Sequence, residues 1–369
     1  MAVVNYKYVD LPNTATFGFL NTNFISNNTP WETAFYFNPG LICNDVNNNI
    51  FIAALNYIYK FDENLNLIGN IELAVSGGIT QLCCLSGGNV IAVSGGDGTY
   101  ILSNNLSTYT YINSSDQADG LIFPDKNNNY FSYLLTSLSS YLKYLTYYNS
   151  SGTLIGSLSS YEAVNINGNL YNLPPLAGYD NNNELLYCAG YIHSGNQLFF
   201  CVVVLNSALS IIDVFTLNVL DIVGFSNDDY GHYFVIKTDY IEKYNSNGTL
   251  LKKIFLNGIL TQNANNSYAM NDNLGNLYIC DGIENLYIYD NNLNMINYFL
   301  INGSNFLING IVPINDLNIY GFSFYIGTNG GIFQVSEQLD PMLYLNSAKK
   351  NKLTCNPVRR PKYAILQKK

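Results

Sequence analysis

The sequence has very little charge, one tryptophan and two histidines. Charged residues make up 11% of the 369 positions, so the polar surface must come mainly from Asn, Ser, Thr, Gly and Tyr. The two histidines, His193 and His232, do not have the spacing of a metal-ligand pair. We expect His193 to lie in a loop or on a rim, and His232 to be a solvated turn residue.

Motifs of enzymes are missing as well. The sequence has no Gly-x-Ser-x-Gly, Walker or dinucleotide-binding fingerprint. We therefore predict a protein that is not an enzyme, with no catalytic residue, no cofactor and no metal site.

Long apolar segments are also lacking. No stretch approaches the ~18 apolar residues of a membrane span. The first residues do not show a charged segment followed by an apolar one, which is the pattern of a secretory signal peptide. We expect neither a membrane span nor a signal peptide.

The seven cysteines are odd in number and include no Cys-x-x-Cys pair. This spacing does not indicate a disulfide framework or a zinc site. Cys83 and Cys84 are adjacent, so in a strand their side chains would point to opposite faces. The simplest interpretation is that most of the cysteines are small buried apolar residues.

What the sequence does contain favours strands and turns. Hydrophobic residues make up 48%, and there are 32 tyrosines and 29 glycines. Tyr, Ile and Val favour strands, whereas Asn and Gly favour turns. The composition predicts many short strands joined by turns rather than a disordered chain.

A hairpin-like segment recurs seven times, as an apolar strand, a short polar turn and a second strand. The first copy runs from Tyr59 to Ile68. The seventh residue of each copy serves as an anchor, and the anchors are Leu65, Leu106, Gly152, Leu209, Gly248, Leu293 and Leu339. Successive anchors lie 39 to 57 residues apart. Repeats of roughly 40–50 residues are typical of β-propeller blades.

A second turn, rich in Asp and Asn, precedes each anchor and is followed by an apolar run. Its copies begin at Asp45, Ser86, Asp125, Asp180, Asn227, Asp272 and Asp316. Asp and Asn suit such turns because their side chains bond to nearby backbone and tolerate positive φ. Two turn series in step predict four strands per unit, and radial stacking of the units would bury both faces of each sheet.

We therefore predict an all-β fold, a seven-bladed β-propeller of four-stranded antiparallel blades, over residues 40–345. Residues 1–39 would form a latch strand or decorate one face, and residues 346–369 would form a basic extended C-terminal arm. The 57-residue interval predicts a larger loop in the fourth blade, around residues 173–178 and 190–195.

The segment from Asn271 to Asp281, followed by Asn285 to Leu293, resembles an NHL repeat, and Asp45 to Leu67 is a weaker copy. The resemblance implies an NHL-like β-propeller. Propellers of that kind are mainly binding platforms, although some related propellers are enzymes, so the resemblance bears on fold more than on activity.

The Asx-rich turns also allow a calcium hypothesis. Oxygen ligands at alternating positions, as in Asp45, Asn47 and Asn49, could begin a calcium-binding loop. The Gly and the distal Glu of an EF-type loop do not follow them. We favour simple turn chemistry.

Charge is distributed unevenly. Residues 349–369 hold eight of the 16 basic residues and no Asp or Glu, which leaves eight basic and 26 acidic residues in the rest of the chain. The acidic body disfavours nucleic acid as a ligand, except through the tail. Since Tyr363, Ile365 and Leu366 are interspersed with these charges, we favour an arm laid in a partner's groove over a solubilising terminus. The predicted docking residues are Lys349, Lys350, Lys352, Arg359, Arg360, Lys362, Tyr363, Lys368 and Lys369.

Composition and targeting point in different directions. The surface chemistry suits a protein that works outside a cell, yet no export signal is expected. A virion protein satisfies both, and the Asn-, Ile- and Tyr-rich usage resembles that of structural proteins of viruses that infect hyperthermophilic, acidophilic archaea. This resemblance implies a virion component, displayed on capsid or tail for assembly or host attachment. Its partners would be other virion proteins and a host receptor or glycan. A cellular surface propeller is the alternative, and a propeller lyase or lactonase ranks below it.

Overall fold

The structure, a computed structural model, is built from short β-strands joined by turns. It describes residues 3–10, 41–54, 56–75, 78–94, 97–112, 121–135, 143–159, 164–174, 176–194, 197–217, 222–256, 268–272, 274–280, 285–302, 308–313, 323–328, 331–338 and 362–367. Side chains are described for most of these residues between 41 and 298. Among the described residues, no helix is long and apolar enough to cross a membrane.

The first strand, β1 (Val3–Asp10), precedes six antiparallel sheets of four strands each, which we call blades 1 to 6. In each blade the strands follow one another from the innermost to the outermost in chain order. Blade 1 contains β2 (Ile42–Asn44), β3 (Ile50–Ala54), β4 (Tyr57–Phe61) and β5 (Leu67–Glu72). Blade 2 contains β6 (Ile79–Cys84), β7 (Val90–Ser94), β8 (Gly98–Leu102) and β9 (Tyr109–Ile112). Blade 3 contains β10 (Leu121–Pro124), β11 (Tyr130–Leu135), β12 (Lys143–Tyr148) and β13 (Leu154–Ser159).

A two-stranded hairpin, β14 (Val164–Ile166) and β15 (Asn169–Tyr171), separates blade 3 from blade 4. Blade 4 contains β16 (Leu176–Asp180), β17 (Leu185–Ser194), β18 (Gln197–Asn206) and β19 (Ile211–Leu217). Blade 5 contains β20 (Ile222–Asn227), β21 (His232–Lys237), β22 (Tyr240–Asn245) and β23 (Leu250–Phe255). Blade 6 contains β24 (Tyr268–Asn271), β25 (Leu277–Cys280), β26 (Asn285–Tyr289) and β27 (Met295–Asn302).

Two further strand pairings involve the chain ends. A four-stranded sheet contains β28 (Ile308–Pro313), β29 (Ser323–Thr328) and β30 (Gly331–Gln338), and β1 pairs antiparallel with β30 at its edge. The last strand, β31 (Lys362–Gln367), pairs in parallel with β27 and adds a fifth strand to blade 6.

The innermost strands form a closed series. Going round, β2, β6, β10, β16, β20, β24 and β28 each lie beside the next, and β28 lies beside β2. This arrangement is a β-propeller with four-stranded antiparallel blades, which confirms the predicted fold at that level.

The core lies between blades. The central strands are buried on both faces because each sheet packs against the next one, and all five residues of β3 and of β7 are buried. Between blades 1 and 2, for example, Phe51 and Ile58 pack with Leu82 and Val90. Stacking of this kind removes the apolar faces of every sheet from water, which a single sheet cannot do.

The two turn series have separate places in each blade. The Asx-rich turn joins the innermost strand to the second, and the anchor turn joins the third strand to the outermost. In the anchor turn of blade 1, Asp62 Oδ1 accepts hydrogen bonds from the backbone N–H of Asn64 at 2.9 Å and of Asn66 at 2.8 Å. The copies at Asp316 and Leu339 lie outside the described residues.

All six described anchors have left-handed backbone, with φ from 55° to 83°. Four of them are leucines, for which this conformation costs roughly 1–2 kcal/mol. These leucines are buried in apolar clusters, and burying a leucine side chain contributes about 1.5–3 kcal/mol, so burial outweighs the strain. The four are Leu65, Leu106, Leu209 and Leu293.

The long interval before the fourth anchor is not a loop. The hairpin β14–β15 and the two ten-residue strands β17 and β18 take up most of the extra residues. The predicted loop is therefore wrong for residues 176–178 and 190–194, which lie in strands, whereas residues 173 and 174 belong to the connection that precedes β16. The strands extend because Tyr191 pairs with Phe200, and their rings meet edge to face at 5.4 Å. His193 lies in β17 rather than in a loop.

Candidate interaction surface

The outermost strands of blades 1 to 5 carry exposed apolar side chains near their first residues. We call this set the outer rim. Its members are between 38% and 54% exposed, and they are Leu67, Ile68, Tyr109, Tyr111, Leu154, Ile155, Ile211, Ile212, Leu250 and Leu251. In blades 1, 3, 4 and 5 they are the second and third residues after the anchor, so the repeat places them at equivalent positions around the propeller. In blade 2, Tyr109 and Tyr111 lie three and five residues after Leu106.

A β-bulge produces the apolar pairs. In blade 1, Leu67 pairs with Phe61 but Gly69 pairs with Lys60, which leaves Ile68 between them without a cross-strand partner. The same irregularity occurs in blades 3, 4, 5 and 6, where the extra residues are Ile155, Ile212, Leu251 and Ile296. Bulges bend an edge strand and reorient its side chains, so both residues of each pair contact solvent.

The outer rim is also poor in charge. The five outermost strands contain only four charged residues, Glu72, Asp213, Lys252 and Lys253. Exposed apolar residues scattered singly are ordinary, but a repeated set on edge strands is typical of an interaction surface. Charged residues are a usual protection of free edges, and within the described part of the chain no further strand pairs with these five edges.

Blade 6 shows an edge that is already covered. Strand β31 pairs with β27 from Lys362 opposite Asn297 to Gln367 opposite Asn302, and Asn297 is buried. The basic tail thus brings a strand back to the propeller that precedes it.

The structure places two of the predicted docking residues. Lys362 and Tyr363 are the first residues of β31, at the edge of blade 6. The other predicted residues, Lys349, Lys350, Lys352, Arg359, Arg360, Lys368 and Lys369, lie outside the described residues.

A cluster of carboxylates lies where the Asx-rich turns of blades 4 and 5 meet. Asp229 Oδ1 accepts a 2.8 Å hydrogen bond from the backbone N–H of Asn181, and Asp180 Oδ2 accepts one of 2.9 Å from Gly231. Burial raises the pKa of Asp229, and the charges of Asp180 and Asp228 raise it further, against the hydrogen bonds from Asn181. The cluster therefore ties two blades together at an electrostatic cost.

His232 belongs to the same region, and it is not a solvated turn residue as predicted. It begins β21, and its Nδ1 lies 2.8 Å from Oδ2 of the buried Asp228. Asp228 lies four residues earlier, so the turn that joins β20 to β21 brings the two side chains together.

The carboxylate of the proposed calcium turn is engaged by protein donors. Asp45 accepts hydrogen bonds from the backbone N–H groups of Asn47 and Asn49, and its second oxygen accepts from the side chain of Asn104 in blade 2. Burial alone would raise the pKa of Asp45, but these hydrogen bonds outweigh it and lower the pKa. Among the described residues, no group of three or more His, Cys, Asp or Glu side chains could hold a metal ion.

The sequence prediction missed the outer rim. Its signal was present, since an apolar pair follows the anchor turn at Leu67-Ile68, Leu154-Ile155, Ile211-Ile212 and Leu250-Leu251. An apolar pair in a strand is ordinarily taken as core, however, and only the order of strands in the sheet shows that these strands are outermost.

Comparisons with known proteins agree with the fold. No protein-family model matches the sequence, and no curated protein matches it significantly. Among solved structures, a streptogramin B lyase is similar over 91% of this chain and 98% of its own, with a TM-score of 0.59 and 12% identity. The WD40 domain of Neurospora crassa Pan2 is similar over 83% of this chain and 92% of its own, with a TM-score of 0.55 and 10% identity. At these identities the likeness concerns the β-propeller fold alone.

Proposed function

We propose that this chain is a non-enzymatic structural protein of a virion, a propeller displayed on capsid or tail for assembly or host attachment. The observation that carries the binding role is the outer rim, whose exposed apolar pairs recur on successive edge strands. The virion setting is supported by the composition, which is poor in charge and rich in Asn, Ile and Tyr.

We also propose that the sheet of β28, β29, β30 and β1 is the seventh blade, with β1 as the strand that latches the ring. Its innermost strand lies beside blade 1, and its outermost strand comes from the other end of the chain. Joining residues 3–10 to residues 308–338 in one sheet would resist opening of the ring at that point.

The outer rim and the tail have different parts in this proposal. The rim packs against neighbouring proteins of the particle, because burial of apolar side chains drives such association. The basic residues between 349 and 360 and the two final lysines anchor the propeller on acidic neighbours. Nucleic acid would be bound only through this tail.

The rim is tested by introducing charge at two bulge residues, Ile155→Lys and Ile212→Lys, in one variant. Both side chains are more than half exposed, so the variant should melt like the wild type. We expect its incorporation into particles released by cells that carry the gene to fall at least about tenfold, measured by immunoblot of gradient-purified particles. The matched control is Leu170→Lys in the β14–β15 hairpin, because Leu170 is 53% exposed and lies outside the rim.

The tail is tested by replacing Lys349, Lys350, Lys352, Arg359 and Arg360 with Gln, which leaves β31 intact. The folded variant should be lost from particles, and normal incorporation would show that these charges are not the anchor. Wild-type protein found on the cell surface but absent from particles would overturn the virion assignment in favour of a cellular surface propeller.

A further inference from the structure

Two cysteines from adjacent blades have their sulfur atoms close together. Cys43 lies in β2, the innermost strand of blade 1, and Cys84 is the last residue of β6, the innermost strand of blade 2. Their Sγ atoms are 2.8 Å apart. The residues are 41 positions apart, which is one repeat, so the contact joins equivalent strands of neighbouring blades.

The distance is close to that of a covalent bond. A disulfide has an S–S length of about 2.05 Å, so the two sulfurs need to approach by less than about 1 Å. The strands β2 and β6 lie side by side, and both cysteines pack against the same apolar cluster between blades 1 and 2. The backbone therefore already holds the two side chains on a common interface.

This pair differs from the other cysteines whose side chains are described. Cys83 is buried on the opposite face of β6, within a different apolar cluster. Cys188 and Cys201 are buried in blade 4, where Cys188 pairs with Val203 and Cys201 with Gly190, so they are two residues out of register. Cys43 and Cys84 are both partly exposed, which makes the close pair also the accessible pair.

We propose that Cys43 and Cys84 form a disulfide that links blades 1 and 2 under oxidising conditions. No other part of the chain has to move far, because the sulfurs are already in contact.

The oxidant is a small-molecule disulfide such as oxidised glutathione. One thiolate attacks it to give a mixed disulfide and releases one glutathione thiol, and the second thiolate then displaces the other glutathione. The two cysteine thiols lose two protons and two electrons, and the oxidant gains both to become two thiols. Burial raises the pKa of both cysteines, so the exchange is slow near neutral pH and is best run at about pH 8.5.

The link has a mechanical consequence. It closes a loop that contains the whole of β3, β4 and β5, and cross-linking a loop of this length restricts the unfolded chain. It also holds two innermost strands together at one blade boundary. The oxidised protein should therefore be the more stable form.

The test uses the full-length protein before and after treatment with oxidised glutathione. We expect the thiols titrated under denaturing conditions to fall from seven to five. Peptide mapping without reductant should find one cross-linked pair that contains Cys43 and Cys84. The melting temperature should rise by at least about 5 °C and return to its first value when a reductant is added.

Variants locate the effect. Cys43→Ser and Cys84→Ser should each abolish the rise in melting temperature on oxidation. Cys83→Ala changes the neighbouring residue and should preserve that rise, even if the melting temperature of its reduced form differs from that of the wild type. Seven titratable thiols after treatment of the folded protein, a persistent glutathione adduct, or a link between other cysteines would overturn the proposal. So would a stoichiometric metal ion that is lost with Cys43→Ser, since the pair would then be a metal site.

Discussion

Ile112, the last residue of the outermost strand of blade 2, occupies the space in which a side chain at Gly152 of blade 3 would lie. Phe215 of blade 4 likewise occupies the space in which a side chain at Gly248 of blade 5 would lie. At other boundaries the anchor is a buried leucine of the following blade, as with Leu106 beside Ile71. At each of these boundaries one large apolar side chain fills the space between the blades. Where the preceding blade supplies it, the anchor is Gly, and where the anchor supplies it, the anchor is Leu.

We predict that Gly152→Ala destabilises the protein by about 2–5 kcal/mol. Left-handed backbone costs an alanine roughly 1–2 kcal/mol, and the new methyl group would clash with Ile112 and force repacking at about 1–3 kcal/mol. The free energy of unfolding is measured by chemical denaturation.

The control for this prediction is Gly168→Ala. Gly168 has φ of 86°, similar to the 83° of Gly152, but nothing lies within 4 Å of its added Cβ. Gly168→Ala should therefore reduce the free energy of unfolding only by the cost of the left-handed backbone, about 1–2 kcal/mol. Equal losses in the two variants would show that the contact with Ile112 contributes nothing.

Local chemistry explains how much of this fold the sequence predicts. The bends at Asp62 and Asp125 are made by side chains that bond to backbone two and four residues away, so each copy can be recognised without knowledge of the rest. The sequence does not reveal that β17 and β18 are ten residues long. Their pairing joins residues such as Tyr191 and Phe200, and the sequence between these two residues has the composition of a turn.

The candidate sites depend on non-local placement. Cys43 and Cys84 occur at the spacing of the repeat, but only the arrangement of adjacent innermost strands brings their sulfurs into contact. The exposure of Ile155 and Ile212 likewise depends on which strand is outermost. The contact between His232 and Asp228 was the most accessible to prediction, since the two residues are four apart around one turn.

A buried lysine in blade 5 forms an ion pair with a carboxylate and also donates a hydrogen bond to the Tyr240 hydroxyl. Lys237 is 1% exposed, and its Nζ lies 3.1 Å from Glu242 Oε2, while Lys253 Nζ lies 3.2 Å from Oε1. Burial by itself would raise the pKa of Glu242, but hydrogen bonds from Lys237, Lys253 and Tyr244 outweigh it, so the pKa is lowered. The ionised carboxylate is therefore the form that the fold stabilises.

We predict that Glu242→Gln costs about 3 kcal/mol at pH 7, because it leaves the Lys237 charge buried without a counter-ion. A lowered folded-state pKa contributes stability that is present above the unfolded pKa and is lost as the pH falls through the folded value. The difference in stability between wild type and variant should therefore become smaller as the pH falls below the ordinary glutamate pKa. Thermal melts recorded from pH 7 down to about pH 3 measure this difference.

Glu184→Gln is the matched control, since Glu184 and Lys126 form an ion pair at 2.9 Å in which both side chains are 45% exposed. Exposed pairs contribute little, so this change should stay within about 0.5 kcal/mol at every pH. A loss for Glu242→Gln no larger than that of the control would mean that Lys237 is satisfied without the carboxylate.

Asp229 presents the opposite electrostatic case. Its pKa is raised, first by burial and then by the charges of Asp180 and Asp228. A carboxyl group with a raised folded-state pKa favours folding in its protonated form, and this advantage is lost as the pH rises through the folded value. At neutral pH the ionised Asp229 therefore weakens the contact between blades 4 and 5 that it helps to make.

We predict that Asp229→Asn stabilises the protein at pH 7 by about 0.5–1 kcal/mol, a size common for improved charge placement. The amide oxygen can still accept the hydrogen bond from the Asn181 backbone, and the repulsion is removed. The gain should disappear below about pH 3, where the wild-type carboxyl is protonated in both states. Thermal melts at pH 7 and pH 3 compare the two proteins.

The neighbouring Asp228→Asn should have the opposite sign at pH 7. Asp228 Oδ1 accepts from the backbone of Tyr230 and His232, and Oδ2 contacts His232 Nδ1 at 2.8 Å, where an amide cannot replace a carboxylate equally. If both substitutions destabilise the protein alike, the two carboxylates are equivalent hydrogen-bond acceptors and the repulsion assigned to Asp229 is wrong. If only Asp229→Asn is stabilising, the cost of bringing these turns together is electrostatic and lies at that one residue.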